Sequence, residues 1–316
     1  MDEHVDLIDG PEVETRELAI PHDLHGERLD RALAVLLPEF SRSFSQQLLS
    51  EGCVSCVVPT ARVMTKASAK VRMGERYQLI LKPTPQSQAF KPETMTLEVM
   101  FEDAHLLVID KPAGLVVHPA PGNWSGTLLN GLLARDEATR FLPRAGIVHR
   151  LDKDTSGLMV VAKTLQAQTK LVDQLQKRSV SRIYECIVIG VITSGGKIDA
   201  PIGRSSSQRQ RMAVNDGGKP AVSHYRVLER YRSHTYTRVK LETGRTHQIR
   251  VHLASVGHPL LADATYGGRE LFGMTRQALH ATRLGFAHPA SGEPLVFEAP
   301  PPPDLASVWH LLTSVG

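Results

Sequence analysis

Strand-like runs dominate the last two-thirds of the chain, and they are not interleaved one for one with helices. They recur at residues 106–110, 157–163, 184–189, 221–227, 236–242 and 295–298. Several alternate apolar and polar residues with period two, as half-buried antiparallel strands do. Two helical patterns stand out. Residues 165–178 place Leu165, Leu171, Val172 and Leu175 on one face, and residues 246–256 run into Gly257 and Pro259. Four consecutive prolines at 300–303 precede a last amphipathic turn or two through Leu305, Val308, Trp309 and Leu312. This order predicts an α+β fold with a mixed or antiparallel sheet, and argues against a doubly wound parallel one. There is no internal repeat and no dinucleotide-binding fingerprint.

The first 82 residues read differently. Residues 1–17 are acidic, include Gly10 and Pro11, and offer little to bury, so they predict a flexible acidic tail. Leu29, Leu33, Leu36 and Leu37 then fall at helical spacing behind Arg28, with Pro38 as the stop. Ser43 with Gln46 three residues on has the form of a capping box for a second helix, closed by Gly52. Short β-like runs follow at 54–58 and 77–81. The module over residues 18–82 is small, helix first and then strands, and rich in arginine and lysine. Residues 83–92, with Pro83, Pro85 and Pro92, have the composition of a linker. Residues 93–316 then form the second domain.

A chain of 316 residues suits two domains. An apolar content of 41% with 22% charged residues excludes a largely disordered or collagen-like protein. No apolar run approaches the roughly 20 residues that span a bilayer, the N-terminus does not read as a secretory signal, and three cysteines make no disulfide scaffold. The expectation is a cytoplasmic protein with no membrane partner. Residues 1–17 hold seven of the 33 acidic residues and one of the 37 basic ones, so the rest of the chain carries a charge of +10 that the net +4 conceals. A body that basic suits a polyanion partner.

The densest polar cluster lies at residues 146–163, where His149, Arg150, Asp152, Lys153, Asp154 and Thr155 sit between two apolar runs. Such a stretch is ordinarily a solvated hairpin loop, but a loop held between buried strands also presents its charged tips at a fixed place. A second cluster at 242–252 carries Arg245, Thr246, His247 and Arg250 in the expected first turns of a helix, whose free N–H groups attract anions. A third, residues 110–119, contains Lys111 and His118.

Together these stretches resemble the RluA/RluD-type pseudouridine synthases. The family's HRLD-x-x-TSG segment matches His149-Arg150-Leu151-Asp152-Lys153-Asp154-Thr155-Ser156-Gly157. Its KPxGxxVHP segment matches from Lys111 to Pro119, its L-x-TGRxHQIR segment from Leu241 to Arg250, and its K/R-x-Y-x-x-x-V-x-G run from Arg182 to Gly190. Asp263-Ala264-Thr265-Tyr266-Gly267 and Leu279-His280-Ala281 extend the likeness over about residues 97–298. Several motifs in the right order are far more specific than any single one. Around residues 144–164 and 218–246 the match is closest to members that act on large-subunit ribosomal RNA. The basic module resembles an S4 RNA-binding domain, with one departure. The usual Val-Asn-Gly turn between its strands is replaced by Cys56-Val57-Val58-Pro59, which puts the local hairpin in question.

The resemblance implies an enzyme that isomerises uridine to pseudouridine in RNA, with 23S ribosomal RNA as the expected substrate and transfer RNA as the alternative. It implies Asp152 as nucleophile, Arg245 as the fixed cation beside it, and Tyr184 as an aromatic platform for a flipped-out uridine. Arg150 is implied to fill the vacated stack. The chemistry fits these roles. A carboxylate can attack and later leave, and a neighbouring cation keeps it ionised in a dry pocket. Whether it attacks C1′ of the sugar or C6 of the base stays open. His149, Lys111, His118, Arg250, Arg28 and Arg42 join Arg150 as candidate RNA-binding residues. An isomerisation without redox change calls for no cofactor or metal, and a monomer is expected.

Rival readings are weaker. Ser156 lacks a nucleophile elbow, and Asp152 with Asp154 lacks a sugar cleft around it. His22, His25, Cys53 and Cys56 have the types of zinc ligands, but Cys53 and Cys56 would point to opposite faces of a strand. A non-catalytic RNA-binding protein of the same fold is the remaining alternative.

Overall fold

The computed structural model describes residues 14–38, 42–81, 89–120, 122–206, 208 and 211–315. The chain divides into two compact units between Gln88 and Ala89.

In the first unit, β1 (Glu14–Ala19) is followed by α1 (Leu29–Leu36), α2 (Arg42–Ser50), β2 (Val54–Val58), β3 (Arg62–Val63) and β4 (Arg76–Leu81). The strands pair in the order β1-β4-β2-β3, all antiparallel. Leu29, Leu33, Leu49, Val54, Tyr77 and Leu79 are buried together between the helices and the sheet. The predicted tail is corrected here. Residues 14–17 belong to β1, where ladder hydrogen bonds to β4 offset their polarity; residues 1–13 lie outside the described residues. Ser43 does not start α2, which begins at Arg42, and Gln46 instead donates to Asp30 Oδ2 at 2.7 Å. The hairpin in question does form, pairing Ser55 with Val63 and Cys56 with Arg62, with an irregularity between Cys56 and Val58.

Asp30 is fully buried, and Arg28 and Arg42 converge on it. Arg28 Nε lies 3.0 Å from Oδ1 and Arg42 Nη2 2.9 Å from Oδ2. The Arg28 hydrogen bond outweighs burial, and with Gln46 and Arg42 it holds the Asp30 carboxyl well below the usual carboxylate range. These two arginines therefore brace the unit's core, while their side chains keep roughly half their surface open.

The second unit begins with β5 (Glu98–Glu102), β6 (Leu106–Lys111), α3 (Leu128–Arg135), β7 (Ser156–Ala162), α4 (Leu165–Gln176) and β8 (Ser181–Ile189). It continues through β9 (Gly196–Asp199), β10 (Ile202–Arg204), β11 (Met212–Val214), β12 (Val222–Arg230), β13 (His234–Leu241), α5 (Gln248–Ser255), β14 (Leu279–Ala287), β15 (Pro294–Glu298) and α6 (Pro303–Val315). Among the described residues a nine-stranded mixed sheet runs β5-β6-β7-β14-β8-β13-β12-β9, with β15 on β14 and β10-β11 as a separate ribbon. The β7–β14 pair is parallel and the others are antiparallel. The α+β expectation is met, with a largely antiparallel sheet. Residues 89–92 belong to this unit rather than to a linker: Ala89 is buried, and the Lys91 carbonyl accepts from Asn130 Nδ2 at 2.8 Å. Residues 83–88 lie outside the described residues.

Both sheet faces are covered. Leu107, Ile109, Met159 and Val161 pack with Leu128 and Leu132 of α3 and Ile249 and Leu253 of α5. Their alternates Leu106, Val108, Leu158 and Val160 pack with Ala167 and Leu171 of α4. Further along that opposite face, Ile187 and Tyr236 meet Leu305, Val308 and Leu312 of α6. Burial of β6 and β7 on both sides is why those strands read as continuous apolar runs. Leu165 departs from expectation: it opens α4 and is exposed, while Leu171 carries the burial. α3 escaped the sequence reading because Gly131 breaks its pattern. The glycine is steric, since a Cβ there would lie 2.5 Å from Met95 Sδ. No helix among the described residues is long and apolar enough to cross a membrane.

Candidate active site

The loop between Ile147 and β7 carries Asp152 into a cleft of about 580 Å³. Four groups fix that loop from below. Lys111 at the end of β6 spends its three ammonium protons on the carbonyls of Pro112, Leu115 and Lys153 at 2.8, 2.9 and 3.0 Å. The Gly114 N–H also donates to the Lys153 carbonyl, at 2.9 Å. Arg276 Nη1 donates to the Asp154 carbonyl at 2.9 Å while its other arms hold Asp304 of α6 at 2.6 and 2.9 Å. Gln277 Nε2 reaches Thr155 Oγ1 at 3.3 Å. Gly157 follows with φ +116°, and a Cβ there would strike the Ala281 backbone at 2.4 Å, so the loop enters β7 only through glycine.

The cation beside Asp152 is Arg250, not Arg245. Arg250 Nη1 donates to Asp152 Oδ2 at 3.2 Å, while Nε and Nη2 fork onto Asp263 at 2.7 and 2.8 Å. The Tyr266 ring lies under the guanidinium, 5.0 Å from centroid to Cζ. Burial opposes the arginine's charge, but Asp263 and then Asp152 outweigh it and push its pKa up. Arg245 lines the same cleft, yet its Nε donates to the Pro220 carbonyl at 3.0 Å. The reason is where the helix starts. α5 begins at Gln248, with His247 at its N-cap in the left-handed region (φ 55°), so Arg245 stays in the preceding turn and Arg250 falls on the inward face. Gln248 shapes that turn, accepting from Thr243 Oγ1 and Arg245 N at 2.8 and 2.9 Å.

His247 stands on the other side of the carboxylate, its Nε2 3.9 Å from Asp152 Oδ1 and its Nδ1 2.8 Å from the Tyr266 hydroxyl. Burial lowers its pKa against the pull of Asp152. Tyr184, on β8, is 5% exposed, lines the cleft, and has its hydroxyl pushed up by burial, so it is un-ionised near neutrality.

The predicted RNA-binding residues separate on inspection. Arg150 is exposed at the cleft. Lys111 is fully buried, with burial lowering its pKa to about 8, and it is a clamp on the loop rather than a surface contact. His149 Nε2 accepts the Val160 N–H at 3.1 Å, closing the edge of β7 where β14 has diverged; burial, then Arg182, push it down to about 3. His118 is half-buried and is lowered to about 4 by burial, then Arg150 and Arg144. Both histidines are neutral at pH 7 and add no charge to an RNA surface. Arg250 is tied up with its carboxylates. The reading of the motifs missed Asp263, Tyr266 and His247 as site residues, although all three lay inside matched segments. In the first unit, Cys53 Sγ and Cys56 Sγ donate to the Glu51 and Val58 carbonyls, and His25 Nδ1 accepts from Met73 N. Among the described residues no group of three or more His, Cys, Asp or Glu side chains is placed to hold a metal.

A carboxylate on a clamped loop, a fixed guanidinium and a buried aromatic ring in one arginine-lined cleft suit nucleophilic chemistry on a polyanion. Comparison with known proteins agrees. Residues 105–255 match the model of the RNA pseudouridylate synthase family. The chain is 54% identical, over 94% of its length and 95% of the other's, to "Ribosomal large subunit pseudouridine synthase D" of Pseudomonas aeruginosa. It is 51% identical to the protein of that name in Neisseria meningitidis serogroup B, over 98% of this chain and 84% of the other. Among solved structures, "Human RNA Pseudouridylate Synthase Domain Containing 1" superimposes with a TM-score of 0.53 at 26% identity, covering 71% of this chain and 97% of that one. "Human RNA Pseudouridylate Synthase Domain Containing 4" shares the fold at a TM-score of 0.55 and 24% identity, over 68% and 93%. The chain belongs to the RNA pseudouridylate synthase family, and its activity is the isomerisation of uridine to pseudouridine in RNA.

Proposed function

We propose that the chain modifies uridines of large-subunit ribosomal RNA, with Asp152 as nucleophile, Arg250 as its fixed counter-ion and Tyr184 as the platform for the everted base. The observation that carries this reading is the Asp152–Arg250–Asp263 chain. Asp263 holds the guanidinium by two hydrogen bonds and leaves the third arm for Asp152. That arm fixes Oδ2 of a carboxylate that lines the cleft.

In the reaction the N1–C1′ bond breaks, the uracil turns, and a C5–C1′ bond forms. C5 gives up its proton and N1 gains one, so the net change is zero. Attack at C1′ and attack at C6 both ask Asp152 to form a bond and later to be expelled: from C1′ as the C5–C1′ bond forms, or from C6 after it has formed. A target inside a stem must leave its stack first. Tyr184 offers an un-ionised ring to the cleft, and Arg150, exposed at the same cleft, is assigned to fill the vacated stack. The first unit, read as S4-like and presenting the half-open side chains of Arg28 and Arg42, serves as an RNA anchor in this account. Relatives named for the large ribosomal subunit support the choice of ribosomal over transfer RNA. A cytoplasmic monomer needing no cofactor completes the proposal.

The test is Asp152→Asn on a 23S ribosomal RNA transcript. The variant should bind the RNA and melt near the wild-type temperature while forming no pseudouridine. Pseudouridine formed at a rate near wild type would rule out the nucleophile.

A further inference from the structure

Arg182 is the most unusual charge in the cleft outside the Asp152 cluster. It is the second residue of β8, two before Tyr184 and on the same face of the strand, and it lines the same cleft. The residue is only 8% exposed. Its Nε is buried with no hydrogen-bond partner, and Nη2 has only a long contact, 3.4 Å, to the Glu242 carbonyl. Among the described residues no carboxylate forms an ion pair with it. The nearest acid in the lining, Glu242, is already engaged by Arg178 at 3.2 Å and by His224. Burying a guanidinium without a counter-charge is costly, and a well-placed anion offsets that cost. Arg182 Nη1 packs over Gly244, where a Cβ would lie 2.5 Å from it, and His149 next door stays neutral under the same charge. Exposed Arg144 and Arg178 add positive potential at the rim.

We infer that Arg182 is a phosphate subsite: it takes one backbone phosphodiester directly flanking the uridine that enters the cleft. A nucleotide everted about its backbone brings its own phosphates to the cleft, and a planar guanidinium matches two phosphate oxygens. The inference rests on the proposed use of this cleft for a flipped uridine, and it assigns Arg182 to binding rather than to bond-making.

The experiment uses the full chain and short target RNAs in which the phosphate on either side of the target uridine is replaced singly by an uncharged methylphosphonate. Equilibrium binding and single-turnover pseudouridine formation are both read. With wild-type protein, neutralising one of the two phosphates should weaken binding by about tenfold, as loss of one charge-assisted pair implies. The Arg182→Met protein should bind all-phosphate and neutralised RNAs alike. Its plot of log affinity against log salt should be shallower by about 0.7–0.9, the value of one phosphate contact. Arg182→Lys, which keeps the charge without the fork, should recover part of the discrimination. Equal binding of all three RNAs by wild-type protein overturns the subsite, and needs no variant to fold. Discrimination retained by Arg182→Met overturns it too. Absence of pseudouridine in every RNA would instead strike at the cleft's proposed function, while the binding arm would still judge Arg182.

Discussion

Arg250 and Arg245 sit five positions apart in one motif, and the structure gives them unlike work. Arg250 is 6% exposed and bridges two carboxylates, whereas Arg245 is anchored to a backbone carbonyl in the turn before the helix. Removing Arg250 leaves Asp152 and Asp263 without their cation, and breaking a buried pair typically costs about 3–5 kcal/mol. Arg250→Met should therefore lower Tm and abolish turnover. Arg250→Lys should restore much of the stability but little of kcat, because an ammonium cannot hold both carboxylates in the fork's geometry. Arg245→Ala should raise KM and leave kcat close to wild type. Steady-state kinetics and thermal melts of the three variants check this; loss of kcat in Arg245→Ala with an active Arg250→Met would reverse the assignment. The match to the motif points to Arg245 as the cation beside the nucleophile, and the structure has Arg250 there. That choice depends on where α5 begins, and His247 in a left-handed N-cap is not foreseeable from composition.

At the level of elements, legibility followed burial. α1, α4, β6, β7, β8 and β13 were visible because their apolar periodicity or continuous apolar runs reflect packing within their own segment. α3 was hidden by Gly131, whose reason is a methionine from elsewhere in the chain, and short strands such as β9, β10 and β11 have too few residues to show a period. Lys111 is a similar case. A lysine after a strand reads as surface charge, and only the fold reveals three carbonyls waiting for it. The α1–α2 brace gives a prediction with a defined sign. Asp30 has its folded pKa depressed, so its stabilisation is present above the unfolded value of about 4 and is lost as pH falls below it. Asp30→Asn should lower Tm at pH 7, and the gap from wild type should narrow on titrating from pH 4 towards 2. A gap that stays constant with pH would mean that the brace is steric.

Across the whole molecule, charge and protonation follow a division that the net +4 conceals. Six histidines, His118, His149, His234, His247, His252 and His280, have pKa values lowered by burial. The unfolded chain therefore takes up more protons below about pH 6.5 than the folded one, and stability must fall as pH drops through that value. Calorimetry should show Tm lower at pH 5 than at pH 7, with a smaller drop in His149→Gln; an unchanged Tm over that range would contradict the burial of these rings in neutral form. The positive charge left over serves the cleft, where arginines surround a single working carboxylate. The central claim is that this carboxylate isomerises uridines of large-subunit ribosomal RNA. Its most direct test is a map of pseudouridine across 23S ribosomal RNA from cells lacking the gene, re-supplied with wild-type or Asp152→Asn protein. The account predicts uridines that stay unmodified without the gene, become pseudouridine with wild type, and remain uridine with Asp152→Asn. An unchanged map without the gene, or one restored by the variant, would contradict it.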